Sequence, residues 1–229
     1  MRGRIEALAA TLENLGADAL LITSETNRLY YSGFNSSSGL IFAAKNGCCF
    51  MTDFRYGEAA KAKIKHMDVQ IYKNRSESLK ALIAEAGAKK IAIEAEKTSL
   101  SELAALQRSF PECKFITDNG LDKAIAAQRI IKSADELSKI KRAQEISEQA
   151  FLNALNHVRA GVTERDLALE LEFYMRRNGA SSVAFDLIVV SGENSSLPHG
   201  VPGGRALRNG DFITFDIGAV FEGYHSDMT

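Results

Sequence analysis

LPHGVPGGRALRNGDFITFDIGAVFEGYHSDMT, residues 197–229, is the stretch on which the reading of this chain turns. A strand through its middle places Phe212, Thr214, Asp216 and Gly218 on one face and Ile213, Phe215 and Ile217 on the other. Asp216 is then a carboxylate in an otherwise apolar strand, and burying a carboxylate without a partner is costly. If the chain reverses at Glu222-Gly223, Asp227 returns on the neighbouring strand about abreast of Asp216, with both side chains on one face. Like charges so placed repel unless a proton or a cation lies between them, and hard divalent cations are the usual solution. Paired metals, about 3.5–4 Å apart, need such carboxylates and activate a shared water. The competing reading pairs Asp216 with an arginine and lets Asp227 cap a turn; the spacing alone does not choose.

Just upstream, His199 lies between Pro198 and Gly200 in a Pro/Gly-punctuated loop, a setting that suits an imidazole meeting a substrate. The competing reading is an exposed loop histidine without a role. His225 shares a strand face with Asp227, which places it at most behind a ligand, and His157 in the last turn of a helix is explained by the helix dipole. His66 has no constellation around it. Neither a GxSxG elbow nor a GxxxxGK[ST] loop is present, and the glycines at 200, 203 and 204 do not lead from a strand into a helix as a phosphate cradle would.

Working outward, the 28 basic residues nearly cancel the 29 acidic ones and form no basic block, which argues against nucleic acid and acidic membranes as partners. No apolar run reaches the length of a membrane span. Cys48, Cys49 and Cys113 match neither a disulfide framework nor CxxC metal spacing and read as small hydrophobes, so the cytoplasm is the expected compartment. Residues 3–117 alternate helix and strand. An amphipathic helix runs to Leu15, strands are expected at 18–23, 40–44, 48–52, 69–72, 91–94 and 114–117, and helices at 55–65, 76–86 and 98–108. Asn46-Gly47 predicts a type I′ hairpin turn between the second and third strands.

After Thr117–Ile131 the alternation gives way to a long helix opened by Ser133 and Glu136 in a capping-box pattern. A second helix follows, capped by Thr163 and closed near Gly179, and then two strand-rich segments, 183–191 and 212–224. The expected fold class is α/β: a mixed sheet with flanking helices over residues 1–125, then an α+β unit over residues 126–229.

With these residues assembled, the PHG loop, the GD turn, the D-x-G strand and the GY-x-SD return resemble the metallopeptidase family of the pita-bread fold, in its branch of Xaa-Pro dipeptidases (prolidases) and Xaa-Pro aminopeptidases. RIIKSADELSKIKRAQEI and GVTERDLALELEFYMRRNGA resemble that family's first two helices, and NRLYYSGF with MTDFRYGEAAKAKI resembles its creatinase-type N-terminal domain. The resemblance implies Asp216 and Asp227 as the first two metal ligands, with Asp227 bridging both ions, and His199 as the histidine that contacts substrate and helps stabilise the tetrahedral intermediate. It further implies two divalent ions, Mn2+ or Co2+, peptide substrates with proline at the second position, and a homodimer.

The remaining ligands of the family, a histidine and two glutamates, follow the second aspartate. This chain is therefore expected to be the N-terminal fragment of a longer one, ending inside a strand and inactive alone. Two further readings share the architecture: creatinase-like amidine hydrolysis without metals, and a non-catalytic relative that binds protein partners.

Overall fold

Ala19–Ile22 (β1) has every side chain buried, as a strand covered on both faces requires. Leu20 and Ile22 enter one hydrophobic cluster, with Phe50 and Ile41, and Ala19 and Leu21 enter a second, with Phe42 and Ile91. Around β1 lie Leu40–Ala44 (β2), Gly47–Thr52 (β3), Asp68–Ile71 (β4), Lys90–Ile93 (β5) and Lys114–Ile116 (β6), in the sheet order β4-β3-β2-β1-β5-β6. β2 runs antiparallel to β1 and β3, whereas β5 is parallel to β1 and β6. The helices of this unit are Arg2–Ala9 (α1), Glu25–Ser32 (α2), Phe54–Lys63 (α3), Arg75–Ala86 (α4), Leu100–Ser109 (α5) and Gly120–Ile130 (α6). The computed structural model describes residues 2–229.

Three local differences from the sequence reading have physical causes. First, α1 stops at Ala9 instead of reaching Leu15. Beyond it the Thr11 hydroxyl donates to the Leu8 carbonyl at 2.7 Å, and the backbone tightens to bonds spanning three residues. Second, the β2–β3 hairpin forms, but Ala44 pairs with Gly47, so the loop is Lys45-Asn46. Gly47 carries a positive φ of 156° and Asn46 does not, which excludes a type I′ turn over Asn46-Gly47. Third, α2 was not anticipated. Its first turn is closed by the fully buried Glu94 at the end of β5, whose carboxylate accepts from Thr23 N (2.6 Å), Ser24 N (2.8 Å) and Asn27 Nδ2 (2.6 Å).

The second unit begins at Lys132. The division falls after Ile131, where a boundary near residue 125 was expected, because α6 buries Leu121 and Ile125 in the first unit's core. Ala134–Leu155 (α7) and Glu164–Arg177 (α8) both open with complete capping boxes, Ser133 with Glu136 and Thr163 with Asp166. Ser182–Val183 (β7), Ile188–Ser191 (β8), Ile213–Asp216 (β9), Ala219–Phe221 (β10) and Tyr224–His225 (β11) complete it. β9 and β10 are one run of chain interrupted at Ile217-Gly218: the first half pairs with β8, the second with β7 and β11, all antiparallel. Ile146, Ala150 and Leu171 of the helices pack on Val189, Ile217 and Ala219 of the strands. Among the described residues no helix is long and apolar enough to cross a membrane.

Candidate functional site

The β10–β11 hairpin turns through Glu222 (φ 49°) and Gly223 (φ 84°), the paired positive angles of a type I′ turn. Phe221 pairs with Tyr224, Val220 with His225, and Ile217 with Met228. Carried through, this register sets Gly218 opposite Asp227 and Asp216 opposite Thr229. Asp227 is thus diagonal to Asp216 and not abreast of it; Thr229 takes the facing position, and its Oγ1 donates to Asp216 Oδ1 at 2.9 Å. Both aspartates nevertheless share a face. Diagonal partners have Cα atoms about 7–8 Å apart, a span that two carboxylates can close on a common cation.

The opposite face belongs to α7. Phe215 stacks edge-on against Phe151 with ring centroids 5.3 Å apart. Ser226 is buried there, its Oγ 2.8 Å from Ser147 Oγ and accepting from Ala219 N at 2.9 Å. By alternation, anchoring Ser226 on α7 turns His225 and Asp227 outward, and both are exposed. Gly218 is a steric requirement: a Cβ there would press on the Ser226 carbonyl and lie 2.8 Å from the Phe185 ring and 2.9 Å from Ala184 Cβ.

His199 stands exposed on the loop that follows β8 and the 3-10 turn Gly192–Ser196. Gly200 packs on Val190, and Thr214 Oγ1 donates to the Ser195 carbonyl at 3.2 Å. Val190 pairs with Thr214, and Ile188 with Asp216, so the loop covers the Asp216 face of β8–β9. His199, Ile188, Leu187, Leu169 and Val201 border a cleft of about 510 Å³.

Two charged side chains hold this loop. Glu164, the first residue of α8 and 1% exposed, accepts through Oε1 from Ser191 N (2.8 Å), Ser191 Oγ (2.9 Å) and Asn194 Nδ2 (3.2 Å), and through Oε2 from Gly203 N (3.2 Å). Burial pushes its carboxyl pKa up, but these hydrogen bonds outweigh burial and leave it below the ordinary value. Arg205 donates to Ser191 Oγ at 2.7 Å and forms ion pairs with Asp211 (2.6 Å) and Glu193 (3.0 Å). The Arg205 guanidinium, together with Arg208 N at 2.8 Å, lowers the Asp211 carboxyl and so fixes the GD turn.

Neither Asp216 nor Asp227 has an ion-pair partner among the described residues, and no arginine of this set pairs with Asp216. Apart from the Thr229 bond to Asp216, their oxygens are available, and two like charges on one face with no cationic side chain between them fit a divalent cation. Two carboxylates alone would make only part of a coordination sphere. Among the described residues no group of three or more His, Cys, Asp or Glu side chains is arranged to hold a metal ion. His225 faces Val220 across the hairpin and has no hydrogen-bond partner among the described residues. His157 Nε2 lies 3.7 Å from Glu170, and His66 Nε2 lies 2.8 Å from the Tyr31 carbonyl.

The description of metallopeptidase family M24 matches residues 138–229, and that of the creatinase/prolidase N-terminal domain matches residues 4–131. The chain belongs to metallopeptidase family M24.

This M24 chain is 35% identical over 231 residues to the uncharacterized peptidase YqhT of Bacillus subtilis, covering 99% of itself and 64% of that relative. It is 31% identical over 232 residues to the Xaa-Pro dipeptidase of Pyrococcus horikoshii, at 100% and 63% coverage. Among solved structures it matches an Xaa-Pro dipeptidase from Bacillus anthracis with TM-score 0.91 at 34% identity, covering 98% of this chain and 62% of that one. An X-Pro aminopeptidase from Thermotoga maritima matches with TM-score 0.87 at 37% identity, at 95% and 63% coverage. The M24 chain thus spans somewhat under two thirds of the length of these relatives.

The sequence reading passed over Glu164, Arg205 and Ser226. Glu164 follows the Thr163 cap and looks like any acidic residue in a first helical turn; only the fold reveals the loop closing over it. Arg205 offered a faint signal, an arginine that lies with Arg208 between Glu193 and Asp211.

Proposed function

We propose that this M24 chain is part of a dinuclear-metal peptidase that hydrolyses the bond between an N-terminal residue and a following proline. The observation that carries the reading is the pair Asp216 and Asp227, two carboxylates on one face of an antiparallel pair with no cationic side chain paired to either among the described residues. Asp216 and Asp227 would hold part of the metal centre, with the remaining ligands taken from the portion of the relatives' length that this chain does not span. Two divalent ions, Mn2+ or Co2+, would supply Lewis acidity there and lower the pKa of a water to near neutrality; oxygen-rich sites discriminate weakly between such ions.

The chain's own groups account for the rest. His199, on a loop held over the Asp216 face, would donate a hydrogen bond to a scissile carbonyl as negative charge develops on it. The cleft beside it is lined by Arg165, Glu172 and Asp186 as well as by Leu169, Leu187, Ile188 and Val201, and the apolar four would take a proline ring. The substrate class follows the relatives called Xaa-Pro dipeptidase and X-Pro aminopeptidase. On this reading residues 2–229 alone are inactive and bind metal weakly, and the complete protein is a homodimer.

The test uses a polypeptide of the relatives' full length, stripped of metal and resupplied with Mn2+ or Co2+. Release of the N-terminal residue from an Xaa-Pro dipeptide identifies a dipeptidase, and release from longer Xaa-Pro peptides identifies an aminopeptidase. Loss of release in D227N is expected. Absence of turnover on both substrates with metal bound refutes the assignment.

A further inference from the structure

From the bonds around the first turn of α8 we infer that Glu164 is a positioning residue for His199. The Glu164 carboxylate brackets the segment that contains the imidazole. Oε1 takes Ser191 and Asn194, before His199 in the chain, and Oε2 takes the Gly203 amide, after it. The backbone of the same helical turn adds Glu164 N to the Arg205 carbonyl at 3.1 Å and Arg165 N to the Gly203 carbonyl at 3.0 Å. Ser191 Oγ donates to Glu164 and accepts from Arg205, so the carboxylate and the guanidinium hold one side of the loop through a shared hydroxyl.

Glu164 itself touches neither His199 nor the Asp216 face. It acts by closing residues 191–203 into a ring fastened to α8, inside which Gly200 rests on Val190 and the Ser195 carbonyl rests on Thr214. A loop fastened at one end only would leave the imidazole free to swing away from that face. An ordinary N-terminal helix carboxylate interacts with its own helix and stays near solvent; this one is buried and spends both oxygens on the loop.

The inference rests on the reading of His199 as the group that meets substrate, but its test needs neither metal nor substrate and so succeeds or fails separately from that reading. In the 15N-labelled chain, ring correlations of His66, His157, His199 and His225 and amide exchange at Ser191 and Gly203 are compared in wild type, E164A, E164Q and N194A. In E164A the His199 ring signals shift and broaden, and exchange at Ser191 and Gly203 speeds about tenfold or more, as expected on losing hydrogen bonds to a charged acceptor.

E164Q keeps Oε1 for Ser191 but turns an amide N–H toward Gly203 N–H, so Gly203 opens more than Ser191 and His199 changes to an intermediate degree. N194A gives a smaller change confined to His199. If E164A does not fold, the other two variants decide by the same criteria. His199 signals unchanged while Gly203 opens, or all four histidines moving together in E164Q and N194A, would overturn the inference.

Discussion

Replacing Ser226 by alanine tests how the hairpin that carries Asp227 is held. The Ser226 hydroxyl is buried, 2.8 Å from Ser147 Oγ and 2.9 Å from Ala219 N, and Ser147 is itself fully buried. Removing the hydroxyl strands a buried hydroxyl and a buried amide, each costing about 1–3 kcal/mol when left unsatisfied, so S226A should destabilise the second unit by about 2–6 kcal/mol. S147A leaves Ser226 bonded to Ala219 N and should cost less, about 1–2 kcal/mol. The double variant replaces both partners with apolar groups and should cost less than the sum of the singles, by about 1 kcal/mol or more. Urea denaturation followed by amide peak intensities of residues in the second unit provides the assay, since the chain has no tryptophan. S226A within about 0.5 kcal/mol of wild type, or strict additivity in the cycle, would refute the reasoning.

Two further outcomes follow from the same geometry. G218A inserts a methyl against the Ser226 carbonyl and the Phe185 ring and should cost about 1–3 kcal/mol, whereas G3A, on a helix with open space around it, should be neutral or stabilising by up to about 1 kcal/mol; thermal melts of the two variants check the contrast. Glu164 has a folded pKa below its ordinary 4.5, so its contribution to stability is fully present above that value and is lost as pH falls through the folded pKa. E164Q should therefore show a shallower loss of second-unit stability on acidification below about pH 4.5 than wild type, read from urea midpoints across that range.

Much of the fold was legible because the β-strands are short apolar runs between breakers, and β2 over Leu40–Ala44 was read to the residue. What was not legible depends on distant groups. α2 owes its first turn to Glu94, a residue 67 positions along the chain from Asn27, and no pattern within NRLYYSGF announces that partner. At the site, the shared face of Asp216 and Asp227 followed from alternation, which survives any shift of register by two residues. Their diagonal placement depended on register, and the register is set by Glu222 and Gly223 as the two central turn residues. His199 was visible through its Pro/Gly loop, while the carboxylate and guanidinium that hold that loop became apparent only when α8 and residues 191–211 came together.

The central claim, that Asp216 and Asp227 form a shared cation site, is tested most directly by adding Mn2+ to the 15N-labelled chain and mapping paramagnetic broadening. The account predicts broadening centred on residues 216–218 and 227–229, sharply reduced in D216N and in D227N, even if millimolar metal is needed. Broadening that is absent there, or that persists unchanged in both variants, would contradict it.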